Sequence, residues 1–292
     1  MTYVLHENKP AREATAEAGE KPLVYRQSLW TRLTHWIWAA ALFFLLLSGL
    51  QIFNAHPTLY IGNQSGFGFA NEVLAMSAEN APDGPVGYTR IFGTRVDTTG
   101  VFGLSGPDTD LVARGFPSWA TIPSYQDLGT GRVVHFFFAW VLVITLLGWL
   151  AGSLINGHLR RDLAPRAADL RNLPRDIANH ARLRFHHARK YNTLQKLAYG
   201  GILFIVLPLI ILTGLAMSPT INAVIPFLAD AFGGRQTART IHFGMMLLLV
   251  GFFIVHMLMI LAAGPLNELR SIITGWYRVD APANSTDKDR RA

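Results

Sequence analysis

Four long apolar stretches constrain the fold more than any other feature of this sequence. They lie at about 36–53, 133–155, 197–217 and 241–263. A helix of about 20 residues, rising about 1.5 Å per residue, crosses the hydrocarbon core of a bilayer. Half of the 292 residues are hydrophobic and only 15% are charged, which is too apolar for a soluble protein of this length. We therefore predict an all-α membrane protein, a bundle of four transmembrane helices.

The remaining sequence divides around these stretches. Residues 1–28 show no sustained apolar period and are expected to form a flexible tail, and residues 281–292 a disordered one. The membrane domain then covers 29–280 and includes a long loop, 54–132. No repeat of 20–50 residues is visible, which argues against an array. The first span is too long for a signal-peptide core and no small-residue cleavage site follows it, so we expect it to be retained.

Loop charges predict the orientation of the chain. The connection Asn156–Lys196 holds ten Lys and Arg against three Asp, so the positive-inside rule places it in the cytoplasm. The 54–132 loop holds four Arg against seven acids and is expected on the periplasmic side. Both termini are then cytoplasmic, in a multi-pass protein of the bacterial inner membrane. The net charge of +7 reflects this asymmetry and does not indicate nucleic-acid binding.

Four of the ten histidines lie in the predicted spans: His35, His135, His242 and His256. An ionisable side chain is costly in hydrocarbon and usually faces the bundle interior with a partner. A lone one most often makes a contact between helices. His242 and His256 are fourteen residues apart, which separates them by about 21 Å on nearly the same helix face. The topology then places His135 beside His242 near the outer face, and His35 beside His256 near the inner face.

Two facing histidines at each of two depths are the ligand set of two bis-imidazole b-type haems. The chain has no cysteine, which excludes thiolate-ligated metal sites, iron–sulfur clusters and cysteine-ligated haem. Zinc is less favoured because a structural zinc ion takes four ligands and each depth offers two. A proton relay stays open, although relays normally use carboxylates and the four spans contain no Asp or Glu. We predict a four-helix bundle that encloses two haems b.

Three arginines repeat one spacing. Each stands three residues before a predicted ligand: Arg32, Arg132 and Arg239. Residues three apart share a helix face, so each guanidinium lies over its imidazole at the membrane edge, where haem propionates need cationic partners. The alternative is interfacial anchoring by snorkelling.

Two glycines lie at the depth of the haem that their own helix does not ligate. Gly49 is fourteen residues after His35, and Gly148 is thirteen residues after His135. A flat macrocycle can approach a helix backbone at such positions. Plain helix–helix contact is an equal alternative for both glycines.

Four segments carry a family resemblance: LWTRLTHWIWAAALFFLLLSGL, GRVVHFFFAWVLVITLLGWLAG, ARKYNTLQKLAYGGILFIVLPLIILTGLAMSP and TIHFGMMLLLVGFFIVHMLMILAAGPLNELRSIITGWY. Together they resemble the b-type cytochrome subunits of membrane-bound nickel–iron hydrogenases, formate dehydrogenases and thiosulfate-reductase-like molybdenum enzymes. The resemblance implies a membrane-anchoring di-haem conduit between the quinone pool and a periplasmic molybdenum or nickel–iron enzyme. It implies no catalytic residue in this chain.

The same resemblance implies a quinone site near the inner haem. In that family the site lies beside a Lys-Tyr-Asn segment that opens the third span, which is Lys190-Tyr191-Asn192 here. Asn192 is therefore the candidate quinone contact, with His256 alongside it. Helix capping and anchoring at the interface are the alternatives for this polar segment.

The 54–132 loop is the main departure from the family pattern. A structureless loop of that length is unusual unless it is functional, so we predict a partly ordered platform that docks the partner enzyme. An insertion without a role is the alternative. A second function also stays open, a self-sufficient di-haem oxidoreductase that exchanges electrons between quinone and a small periplasmic species such as superoxide. A transporter is disfavoured by the paired histidine depths and by the presence of only four spans.

Overall fold

The computed structural model describes residues 22–66, 68–107, 110–157, 159, 171, 173–178, 182 and 193–279. In chain order its helices are α1 (Leu29–Asn54), α2 (Leu128–Ile155), α3 (Thr193–Met217), α4 (Pro219–Val224), α5 (Phe227–Ala231), α6 (Arg235–Ala263) and α7 (Pro265–Thr274). Among the described residues, α1, α2, α3 and α6 are long and apolar enough to cross a membrane. Each contains one predicted span and begins several residues before it.

Two of the long helices begin at side chains that bind their first free N–H groups. Ser28 Oγ accepts the Thr31 N–H at 3.1 Å before α1, and an Asp127 carboxylate oxygen accepts the Thr130 N–H at 3.0 Å before α2. Both helices keep many apolar side chains exposed, such as Phe137. That exposure is expected where the surrounding solvent is lipid.

A π-helical turn, Ile202–Val206, interrupts α3. Pro208 follows this turn and cannot donate to the carbonyl four residues earlier, and its ring would clash with that carbonyl. The wider turn relieves the clash, which is a common origin of local π geometry. The helix then continues regularly through Thr213.

The 54–132 loop corrects the all-α prediction, because part of it folds into short β-sheets. An antiparallel sheet has the order β2 (Thr58–Tyr60), β3 (Glu72–Ala81), β4 (Gly84–Ile91) and β5 (Thr94–Asp97). A second sheet pairs β6 (Gly103–Ser105) with β7 (Val112–Arg114). Residues that favour turns connect these strands, such as Pro82-Asp83 between β3 and β4.

The described residues divide into two compact units, one within 34–151 and 201–253 and the other within 1–33, 152–200 and 254–292. In the first unit, Phe53 of α1, Leu59 of β2 and Met76 of β3 form a buried apolar cluster. Phe243 of α6 packs against this cluster. The sheet therefore shares a core with the ends of two membrane-spanning helices.

The other unit ties the two ends of the described chain together. Leu23–Tyr25 (β1) pairs antiparallel with Trp276–Arg278 (β8). The prediction of a flexible tail through residue 28 is therefore wrong for its last residues, while 1–21 and the tail after 280 lie outside the described residues. Tyr277 donates a hydrogen bond to Glu268 of α7 at 2.9 Å, which fixes the short helix against β8.

Candidate functional site

Two of the predicted ligands face each other in the 34–151 and 201–253 unit. The ring centroids of His135 on α2 and His242 on α6 are 6.4 Å apart, with their planes at 56°. Both residues are partly buried. The structure thus brings together the predicted outer pair.

This spacing fits one metal ion held between two imidazoles. A metal–nitrogen bond of about 2 Å on each side places the centroids of two opposed imidazole rings about 6.4 Å apart. Within the described residues, no group of three or more His, Cys, Asp or Glu side chains is placed to hold a metal ion. The arrangement there suits a cofactor that brings most of its own ligands, as haem does.

Hydrogen bonding fixes which nitrogen of His242 is available to a metal. Its Nδ1 lies 2.9 Å from the Ile210 carbonyl oxygen, which can only accept, so Nδ1 carries the proton. Thr213 Oγ1 lies 3.2 Å from the same nitrogen and donates its own proton to the Leu209 carbonyl at 2.6 Å. Nε2 therefore keeps its lone pair free for iron.

His135 is held in the same way from α1. Its Nδ1 lies 3.1 Å from Ser48 Oγ, whose proton goes to the Phe44 carbonyl at 2.6 Å. Here too Nε2 is left for a metal.

A glycine lies against each imidazole. A Cβ on Gly49 would be 3.2 Å from His135 Cε1, and one on Gly214 would be 3.3 Å from His242 Cε1. Gly49 thus lies at the outer site, as its depth predicts. Gly148 is exposed, and its proximity to the inner haem stays a prediction.

The three arginines have different surroundings. Arg239 donates to the Thr58 carbonyl at 2.9 Å and to the His56 carbonyl at 2.5 Å, which ties α6 to the start of the sheet. Arg132 is exposed and its guanidinium lies 5.6 Å from the Phe136 ring. Arg32 donates to the Ile273 carbonyl at 2.6 Å. Their role toward haem propionates stays a prediction.

The predicted inner site is described less fully. His35 and His256 are both partly buried, but they belong to different units, so their pairing stays a prediction. His35 packs edge-on against Trp36 with centroids 5.4 Å apart. Asn192, the candidate quinone contact, lies outside the described residues.

Ser48, Thr213 and Gly214 are not among the predicted site residues, although the sequence contains a signal for them. LLLSGL at 45–50 is matched by IILTGL at 210–215, and TGRVVHF at 130–136 is matched by TARTIHF at 237–243. The two helix pairs therefore carry matched short motifs. The connections within the two pairs differ greatly in length, so these matches do not form a repeat of 20–50 residues.

Comparisons with known proteins agree with this site. The family model for prokaryotic cytochrome b561 matches residues 164–275. The "putative protein-methionine-sulfoxide reductase subunit YedZ1" of Azospira oryzae is 25% identical over 235 residues, which cover 79% of this chain and 87% of that protein. The four apolar helices, the facing histidine pair and these two matches support a multi-pass membrane protein that is similar to the b-type cytochromes.

Proposed function

We propose that this chain is a membrane-anchoring di-haem cytochrome b that carries electrons between the quinone pool and a periplasmic redox enzyme. The observation that carries the proposal is the His135–His242 pair, with its 6.4 Å ring separation and both Nδ1 atoms already hydrogen-bonded. One haem b would lie between these residues and the other between His35 and His256. Both termini are assigned to the cytoplasm and the 54–132 platform to the periplasm.

Haem supplies one-electron redox chemistry, and the protein supplies its environment. The two Nε2 atoms would hold the iron, and the apolar side chains of α1, α2, α3 and α6 would exclude water from it. The proposal gives no described residue of this site the role of a nucleophile or general acid. The chain thus conducts electrons and leaves the chemistry of the substrate to a partner.

The folded 54–132 platform supports a protein partner over a small periplasmic reductant. It presents two strongly exposed aromatic side chains, with Phe92 77% exposed and Trp119 82% exposed. Aromatic side chains of this kind are enriched in protein interfaces. The name of the YedZ1 relative also describes a subunit of a reductase. We assign the partner to the exported oxidoreductases, and the resemblance favours a molybdenum or nickel–iron enzyme among them.

Quinone is proposed to react at the cytoplasmic haem, beside Asn192 and His256. A quinone carbonyl that gains charge needs a hydrogen-bond donor, and an amide at the start of α3 supplies one. If electrons arrive from a periplasmic partner, they would cross the membrane through both haem sites before they meet cytoplasmic protons. Turnover in that direction would build a transmembrane potential.

The test is quinol-driven haem reduction in proteoliposomes that contain the purified chain. We expect Asn192→Leu to slow haem reduction by quinol at least tenfold while both haems stay bound, because the variant lacks the amide donor. Asn222→Leu, at an exposed position of α4, is the matched control and should reduce at the wild-type rate. Rates are followed by stopped-flow absorbance of the haem bands.

Two results would refute parts of this proposal. Unchanged quinol-driven reduction in Asn192→Leu would move the quinone site away from the inner haem and remove the predicted charge separation. A wild-type chain whose haems are not reduced by any quinol would exclude the link to the quinone pool.

A further inference from the structure

We infer that Ser48 and Thr213 are a matched pair of positioning residues, which set the orientation and electron richness of the two imidazoles at the outer haem. The inference rests on the proposed outer haem between His135 and His242. It adds two residues that touch neither iron nor substrate. They act through the ring nitrogens that face away from the metal.

The two positions occupy equivalent places in the matched helix pairs. In α1 a hydroxyl and a glycine meet His135, at Ser48 and Gly49. In α3 the same two groups meet His242, at Thr213 and Gly214, together with the Ile210 carbonyl. In both helices the glycine directly follows the hydroxyl residue. One structural device therefore serves both axial ligands.

The polarity of each hydroxyl is fixed by its own helix. Ser48 donates to Phe44 and Thr213 donates to Leu209, both at 2.6 Å, so each oxygen turns a lone pair toward the imidazole N–H. Both side chains are fully buried, at 0% exposure. A buried hydroxyl costs free energy unless its hydrogen bonds are made. The ring N–H satisfies an acceptor that would otherwise face only apolar side chains.

This contact affects the iron through the ligand. An acceptor on the Nδ1 proton makes the imidazole a stronger electron donor, which favours the ferric state and lowers the reduction potential. The adjacent glycine lets the helix approach the ring closely enough for the contact. The hydroxyl and the glycine together hold the plane of the imidazole ring. The angle between the planes of the two imidazoles governs the electron paramagnetic resonance spectrum of a low-spin ferric haem.

The test replaces each hydroxyl by the nearest apolar shape, as Ser48→Ala and Thr213→Val. We expect the potential of the outer haem to rise in each variant, in the same direction, and to rise further in the double variant. The largest g value of that haem in electron paramagnetic resonance should also shift. The inner haem should keep its potential and its g values.

Thr145→Val is the matched control. Thr145 is a helix hydroxyl that donates to the Val141 carbonyl at 2.7 Å and accepts from Trp38 Nε1 at 3.0 Å, and neither partner is a histidine. A role limited to helix packing predicts the same modest loss of stability in all three variants and no change in either haem. The conservative exchanges Ser48→Thr and Thr213→Ser should retain the wild-type potential and g values.

Two outcomes would overturn the inference while the proposed function stands. One is a double variant with both haems bound and the outer haem unchanged in potential and g value. The other is an equal shift in Thr145→Val. If Ser48→Ala loses only the outer haem and Ser48→Thr keeps it, the difference in bound outer haem supports the positioning role. A wild-type chain that binds no outer haem would instead refute the proposed function itself.

Discussion

At the residue scale, the imidazoles of the outer pair are held by groups that do not touch the metal position. Each Nδ1 atom meets a hydroxyl on a neighbouring helix, and His242 also donates to a carbonyl. Fixing the tautomer this way prepares both Nε2 atoms for iron without any rearrangement of the rings. The site is thus preorganised by helix backbone and by two small side chains.

Arg132 offers the clearest test of the propionate hypothesis. Arg239 is held by two backbone carbonyls, so its replacement would also loosen the sheet. Arg132→Gln removes one exposed positive charge near the outer haem, and a nearby cation disfavours the extra positive charge of the ferric state. We therefore expect the potential of the outer haem to fall.

Redox titration of the separate haems measures this effect. Arg235→Gln, an exposed arginine at the start of α6, is the control for general surface charge. A fall in Arg132→Gln alone supports a propionate contact. An equal change of the outer-haem potential in Arg132→Gln and Arg235→Gln would assign Arg132 to interfacial anchoring.

The histidines could be singled out one by one from sequence, whereas the only sequence signal for Ser48 and Thr213 is the match between LLLSGL and IILTGL. An imidazole in hydrocarbon is costly and demands a partner, so its position in a span is itself a signal. A serine or threonine in a helix can donate a hydrogen bond to the backbone carbonyl four residues earlier, so its hydroxyl requires no partner on another helix. Only the fold shows that each of these hydroxyls also meets a ring nitrogen.

At the element scale, the 54–132 loop depends on buried polar contacts as well as on its strands. Arg114, at the end of β7, is 7% exposed and donates to the carbonyls of Phe116 and Ser124 and to Thr121 Oγ1. Burial lowers the pKa of its guanidinium from the usual value. The three hydrogen bonds supply the compensation that a buried cation requires.

Replacement of this arginine should destabilise the platform. We expect Arg114→Met to cost on the order of 3 kcal/mol, because the hydrogen bonds from a charged donor are lost and the acceptors stay buried. Limited proteolysis of proteoliposomes should then cleave within 54–132 faster than in the wild type. Arg95→Met, at an exposed arginine paired with Glu79, is the control and should resist cleavage. Equal cleavage of both variants would show that the Arg114 contacts do not stabilise the loop.

The strands of this loop were beyond prediction for a physical reason. Most of them are short, and β5 is exposed along its whole length, so little apolar alternation marks them. Their burial comes from Phe53 and Phe243, which belong to distant membrane-spanning helices. The sequence of the strands alone does not predict contacts with residues so far away in the chain. Helix spans, in contrast, follow from length and hydropathy alone.

At the scale of the whole molecule, the helix pairs α1–α2 and α3–α6 carry matched motifs. Both pairs have the hydroxyl–glycine pair and the arginine–histidine spacing at the proposed outer site. At the proposed inner site the pairs differ, since Gly200 aligns with His35 and Trp149 aligns with His256. The match therefore extends to both proposed outer ligands, whereas each proposed inner ligand occurs in one pair only.

The most direct test of the account is the number of haems and their assignment to the two histidine pairs. Purified wild-type chain should return two haems b in a pyridine haemochrome assay. His135→Ala and His242→Ala should each lose the same haem, His35→Ala and His256→Ala should each lose the other, and His56→Ala, at an exposed loop position, should keep both. Fewer than two haems in haem-replete wild type, or loss of different haems within one proposed pair, would contradict the account.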